Sequence, residues 1–228
     1  MTGLRAVLQS AIADALRDEV LALALAPGES VTEASVALRY GCSRPTARGA
    51  IDRLVAEGVL RREAHRAARI PVLERADIVE LYDARAVVET AALAALARIG
   101  AVPPAAVAAN RALATAGRDA GFAREDIAFH RSLIGGQPNR RLVRMHDGLM
   151  GEIELCIGQV HAHRLLSPSE IAAEHRRVLD AVVAADPELA AARVGEHIRH
   201  SRDRILAHYD LTHTDAARPD AAHPDATP

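Results

Sequence analysis

The apolar residues Leu4, Leu8, Ile12, Leu16 and Val20 recur every four positions, the spacing of one face of an α-helix. Ala26-Pro27-Gly28 breaks that pattern. A short helix is predicted over 32–39, ended by Tyr40-Gly41. Ser43 then offers an N-cap oxygen to a further helix, with Pro45 tolerated in its first turn. Ala47, Ile51 and Leu54 form the apolar face of that helix, and Gly58 is placed to stop it. From 59 to 72 the chain becomes short-patterned, Arg-rich and strand-compatible, closing on Ile70-Pro71-Val72.

From 74 onward the period is helical throughout. A long helix over 77–99 carries Ile78, Leu81, Val88 and Leu96 on one stripe. Further helices are predicted over 103–116, 124–134, 140–163, 168–185 and 187–209. The breaks between them fall at Gly100, Gly117, Gly135-Gly136, Leu166-Ser167 and Asp186-Pro187. Residues 212–228, made almost wholly of Ala, Asp, Pro, Thr and His, predict a disordered tail. The expected fold class is therefore mostly α. Helix, helix, turn, helix and ribbon over 1–73 is the order of a winged helix-turn-helix, and 74–211 reads as an all-α helical bundle.

Composition narrows this picture. Hydrophobic residues make up 50% of the 228 and aromatic residues only 2%, which suits aliphatic helical cores better than strands. All 28 basic residues are Arg, and the net charge of −2 neither requires nor excludes a nucleic-acid partner, since a local basic patch can sit on a neutral chain. The longest candidate span, 20–27, is far below the roughly 18 uncharged apolar residues a membrane crossing needs. The N-terminus lacks a signal-peptide layout. Cys42 and Cys156 fall in different predicted regions and suggest neither a disulfide framework nor a CxxC metal site. The expectation is a cytoplasmic protein with no membrane association.

Charge is concentrated where the helix-turn-helix pattern lies. Between 43 and 69 stand seven arginines (44, 48, 53, 61, 62, 66, 69) against three acids, Asp52, Glu57 and Glu63. Arg44 and Arg48, four apart, project from one face near Ser43 and Thr46, where a recognition helix meets base edges. The guanidinium fork can bond O6 and N7 of a guanine together. His65 and Arg66, with the other ribbon arginines, are expected over phosphates or in the minor groove. A solvated basic helix in an ordinary domain is the rival reading.

Several motif residues here are in register with a known family. Pro27-Gly28-Glu29, the run from Tyr40 through Leu54 (YGCSRPTARGAIDRL) and Glu57-Gly58 resemble the GntR family of bacterial regulators, whose pattern is roughly PGxxL…LGVSRxPVREALxxLxxEGL. The resemblance spans 4–72 and implies a double-stranded, pseudo-palindromic DNA operator met by Arg44, Arg48 and the helix N-terminus. Ala34, Gly49 and Ala67 depart from that pattern. They stand in place of a DNA-contacting Arg of some members, the usual Glu and the wing glycine.

The helical region holds a second candidate chemistry. Asp126 and His130 are four apart and share a helix face, while His175 and His197 lie on two later helices beside Val178, Val182 and Val194. Taken alone, Asp126 and His130 read as a surface ion pair. Taken together, one Asp and three His converging inside a bundle make a ligand set for Zn²⁺ or a similar divalent ion. The histidines at 65, 146, 161, 163, 200, 208, 213 and 223 read as surface groups.

Residues 74–209 resemble the FadR-type, or FCD, ligand-sensing domain. The matching residues are Leu81-Tyr82-Asp83-Ala84-Arg85 with Glu89, Asp126-Ile127-Ala128-Phe129-His130, Asn139, and His175…Ala181…Asp186…Ala191…His197. Six helices match its shorter, VanR-like variety. The resemblance implies a homodimeric regulator, in most relatives a repressor. Asp126, His130, His175 and His197 would hold a metal, zinc foremost with nickel or manganese as alternatives, and a small carboxylate effector would bind there. Arg85 matches a pocket-facing Arg that can clamp a carboxylate; an i+4 structural pair with Glu89 is the other reading. A metal-dependent enzyme or a metal-ion sensor could use the same cluster.

Overall fold

The computed structural model describes residues 2–116, 123–160 and 167–214. Among them lie nine helices: α1 (Thr2–Leu21), α2 (Glu33–Arg39), α3 (Arg44–Ala56), α4 (Arg75–Ile99), α5 (Pro104–Thr115), α6 (Ala123–Gly135), α7 (Arg140–Gln159), α8 (Pro168–Val183) and α9 (Pro187–Thr214). Two short strands, β1 (Ser30–Val31) and β2 (Ala68–Arg69), pair antiparallel.

The start of α3 is fixed by local chemistry. The Ser43 hydroxyl accepts the Thr46 amide and satisfies one of the free donors of the first turn. Pro45 fits because that turn needs no internal N–H there. The helix ends at Gly58, whose φ of +78° a side chain would strain. Thr32 caps α2 in the same way, with Ser35 returning the bond. Ala47, Ala50, Ile51 and Leu54 of α3 are buried against Ile12, Leu16 and Val20 of α1. Leu8, expected on that face, is half exposed, and the side chain of Leu4 lies outside the described residues.

The expected two-strand ribbon takes a different form. Its arms meet at a single bridge, Arg61 to Arg69, and β2 continues onto β1 through Ser30–Arg69 and Val31–Ala68. At the tip His65 sits at φ +63°, taking the left-handed turn for which a glycine is favoured. At Gly49 a Cβ would press on the flexible end of the Gln9 side chain of α1, which would have to swing aside.

Six helices follow β2 among the described residues. α4 lies along α9 and also packs on α7 and α8, while α5 bridges α6 and α8. Ile78, Leu93, Phe129, Ile153, Val178 and Val194 meet in one apolar core. Burying each such side chain is worth about 1.5–3 kcal/mol relative to water. The break expected at Gly117 lies outside the described residues, as do 215–228 of the expected tail; 212–214 continue α9. Among the described residues no single helix is long and apolar enough to cross a membrane.

Candidate metal centre and nucleic-acid interface

The exposed surface at the start of α3 is basic. Arg44 is exposed, and the Arg48 side chain is 66% exposed, with only loose ion pairs to Glu33 at 3.6 Å and Asp52 at 3.9 Å. Arg62 reaches back to Asp52 at 2.6 Å and ties the ribbon to α3. His65 and Arg66 are exposed at the tip, Arg66 pairing with Glu63 at 3.2 Å. Arg48, Arg62, His65, Arg66, Thr32 and Glu33 line a cleft of about 490 Å³ between helix and ribbon. Thr46 does not reach this surface: it is buried, with its hydroxyl 2.8 Å from the Ser43 Oγ. Its part is to shape the helix start.

The four acid and imidazole residues singled out on three predicted helices come together. One ligand atom from each of Asp126, His130, His175 and His197 lies within 4.8 Å of the others, and all four residues are buried. The surface ion pair that Asp126 and His130 suggest by themselves is thereby excluded. The Nε2 atoms of His130 and His197 are 3.2 Å apart, those of His175 and His197 are 3.4 Å apart, and His175 Nε2 is 3.2 Å from Asp126 Oδ1. Donors about 2.0–2.1 Å from a tetrahedral Zn²⁺ stand roughly 3.4 Å from one another. Phe129 stacks on His175 with centroids 3.7 Å apart and fixes that ring.

Two carboxylates outside the quartet orient its imidazoles. Glu89 accepts from His130 Nδ1 at 2.7 Å, and Glu174 accepts from His197 Nδ1 at 2.8 Å. Burial opposes ionisation of Glu89, but the Arg85 guanidinium, then His130 and His146, outweigh it and hold its carboxyl well below the usual range. Burial likewise opposes Glu174, and the hydrogen bond from His197 pulls it down to about 2. Burial lowers His130 to about 4, reinforced by the Arg85 charge against the pull of Glu89. Burial lowers His175 to about 3 despite the Asp126 bond. Asp126, resisted by burial but bonded to His175, is held well below its ordinary value.

Chemistry of the donors now tests the fit to an ion. An ionised carboxylate only accepts, so Nδ1 of His130 and of His197 must carry the proton. In the neutral rings both Nε2 atoms are bare lone pairs, facing each other at 3.2 Å. A cation between them would take both lone pairs. The residues fit a divalent metal.

Arg85 is fully buried. Its Nε donates to Glu89 Oε1 at 2.7 Å, as the i+4 reading expects, while Nη1 and Nη2 have no hydrogen-bond partner. Tyr82 lies under the guanidinium, 5.7 Å from carbon to ring centroid. A buried guanidinium edge with two free nitrogens can take a carboxylate in a fork.

His146 corrects the sequence reading of that residue as a surface group. It is buried, and its Nε2 lies 3.1 Å from Glu89 Oε1. His200, half exposed, reaches Glu174 at 3.4 Å. His161, His163 and His223 lie outside the described residues. The signal for His146 was available in the spacing 146, 150, 153, 157 and 160, an apolar seam with one imidazole in it. Glu174 interrupts the α8 stripe of Ile171, Val178 and Val182 in the same way.

Comparison with known proteins covers both regions of the chain. Residues 8–70 match the model of the bacterial regulatory proteins of the gntR family, and residues 80–200 match the FCD domain. A Paenarthrobacter nicotinovorans protein named "Probable D-xylose utilization operon transcriptional repressor" is 29% identical over 199 residues, 85% of this chain and 87% of that protein. A Streptomyces ambofaciens protein named "Uncharacterized HTH-type transcriptional regulator in unstable DNA locus" is 30% identical over 201 residues, 85% of this chain and 84% of that one. The crystal structure of "a putative transcriptional regulator GntR from Rhodococcus sp. RHA1" superposes with a TM-score of 0.70 at 25% identity, covering 87% of this chain and 97% of the other. A winged helix-turn-helix joined to an FCD helical domain defines a class of transcriptional regulators. This chain belongs to the GntR family, in its FCD-containing branch.

Proposed function

We propose that this regulator is a metal-containing, carboxylate-responsive repressor. Residues 1–73 form its DNA-binding domain and 74–211 its sensing domain. Arg44 and Arg48 read base edges, Ser43 and Thr46 hold the N-terminus of α3 against a phosphate, and His65 and Arg66 enter the minor groove from the ribbon. Two chains pair, so that the operator is pseudo-palindromic. Such a protein works where the chromosome is, in the cytoplasm.

Asp126, His130, His175 and His197 hold the divalent ion, zinc foremost. When bound, the ion supplies a Lewis-acidic position open to an oxygen ligand. Arg85 turns Nη1 and Nη2 toward the carboxylate of a small organic acid. One observation carries the reading: the Nε2 atoms of His130 and His197, whose Nδ1 atoms face Glu89 and Glu174, meet at 3.2 Å. The repressor direction is supported by the printed name of the Paenarthrobacter relative. An enzymatic reading gains nothing from the neighbouring carboxylates, because Glu89 and Glu174 each accept from two or more donors.

The test combines elemental analysis of the zinc-reconstituted, dialysed protein with selection of bound duplexes from a random DNA pool. Stoichiometric metal, a two-fold symmetric selected sequence and a scattering mass twice the 24.3 kDa chain are expected. Less than about 0.1 metal per chain after zinc, nickel and manganese in turn would remove the metal from the proposal. Selection of no sequence would remove the operator, and a monomer bound to DNA the dimer.

A further inference from the structure

α7 has two faces, and each grips a different part of the molecule. Toward the bundle it buries His146, Met150, Ile153 and Ile157. His146 Nε2 is bonded to Glu89, the carboxylate that also accepts from Arg85 and from His130 of the Asp/His quartet. A direct chain of buried hydrogen bonds thus runs from the quartet to α7.

The other face of α7 meets the winged helix backbone to backbone. A Cβ on Gly151 would overlap the Glu57 carbonyl oxygen, at the end of the recognition helix. A Cβ on Gly58 would lie 2.7 Å from the carbonyl oxygen of Gly148. Only glycine permits so close a seat. Charged groups reinforce it. Arg17 of α1 pairs with both Glu57 and Glu154, and Arg61 of the ribbon lies 3.6 Å from Glu152. Gln159 at the end of α7 bonds Pro71 and Leu73 in the segment joining β2 to α4. One rigid element therefore touches the end of the recognition helix, the ribbon and the connection between the two regions.

We propose that α7 carries the state of the buried quartet to the recognition helix, with His146 as the positioning residue at one end and Gly151 as the seat at the other. The coupling rests on reading the quartet as the ligand-responsive centre. Whatever moves Glu89, by drawing on His130 or on Arg85, must also shift or release His146. α7 cannot yield without moving the Glu57–Gly58 turn that rests on it. Coupling between two sites is a free energy carried by such a shared element.

Amide hydrogen exchange of the full chain, followed by mass spectrometry with and without saturating Zn²⁺, tests this, with calorimetry reporting zinc binding. In the wild type, zinc should slow exchange in peptides covering 54–60 as well as those around the quartet, by about threefold or more. His146→Leu should still bind zinc within about tenfold of wild type, being one step beyond the carboxylate that touches a ligand, yet lose the slowing at 54–60. His146→Gln, whose amide can donate to Glu89, should restore it. Gly151→Ala, which must push the Glu57 carbonyl away, should exchange fast at 54–60 with or without zinc while the quartet remains protected. Zinc-dependent slowing at 54–60 that survives in both His146→Leu and Gly151→Ala overturns the proposal, as does zinc binding by the wild type with no effect at 54–60. Absence of calorimetric zinc binding by the wild type overturns the metal reading, and this proposal with it.

Discussion

Arg44 and Arg48 stand in water at the start of α3, while Arg85 and Glu89 face each other with no exposed surface at all. The first pair lies open to solvent, and the ion pairs that Arg48 makes within the chain are long and loose. Exposed pairs of this kind contribute about 0–1 kcal/mol and are screened by salt. Arg85 and Glu89 cannot fall back on solvent, so their charges must be matched within the fold. Charge that must let go is kept wet, and charge that must hold a geometry is kept dry.

Removing one member of the dry set should have the largest effect. Glu89→Leu leaves the Arg85 guanidinium buried without its carboxylate, and His130 and His146 without their acceptor. A loss of about 3–5 kcal/mol of folding stability is expected, read from the midpoint of urea unfolding of the metal-free protein. A change below about 1 kcal/mol would show that these charges rearrange freely and would erase the contrast with the surface pair.

Acid should expose the same difference more gently. His130 at about 4 and His175 at about 3 lie below their ordinary value of 6.5, so the unfolded chain takes up their protons first as pH falls. The stability they contribute is complete above 6.5 and drains away as pH descends through about 4. Glu174, at about 2 against 4.5, adds a loss that begins lower. The melting temperature of chelator-treated protein should be level above pH 7 and fall steadily below 6.5. A flat profile down to pH 5 would mean that the imidazoles are not held neutral by burial.

The smallest effect on the fold belongs to the wet set. Arg48→Ala should leave stability within about 0.5 kcal/mol. Its operator affinity should drop by about 1–3 kcal/mol with relaxed base preference, measured by electrophoretic shift titration on the selected duplex. Unchanged affinity and selectivity would take Arg48 out of the interface.

What the sequence made legible follows from where the information lies. The Ser43 cap, Pro45 and Gly58 are local signals, and they bound α3 to within a residue of its observed ends. The six helices after β2 were readable from period and breaks, because each buries one stripe. β1 was not readable: two residues carry no period, and their partners lie 37 and 39 positions away. The quartet was reached through paired motifs, but its supports were not. Glu89 reads as half of an ordinary i+4 pair, and His146 as one more surface histidine. Their roles depend on α4, α6 and α7 meeting, and the trace they leave is only a polar residue where an apolar one is due.

The glycine seat at 58 and 151 bears on how readily parts of this protein could be exchanged with those of a relative. A chimera is ordinarily cut in the connection between domains, here near residue 73. In this chain the recognition helix also meets the body of α7, where the Glu57 carbonyl rests against Gly151 and Arg17 spans Glu57 and Glu154. A foreign winged helix grafted at the connection alone would inherit the tether without the fit. On the proposed reading of the interface, retargeting to a new DNA sequence is therefore simplest by changing Arg44, Arg48 and the ribbon tip while leaving the Glu57–Gly58 turn as it stands.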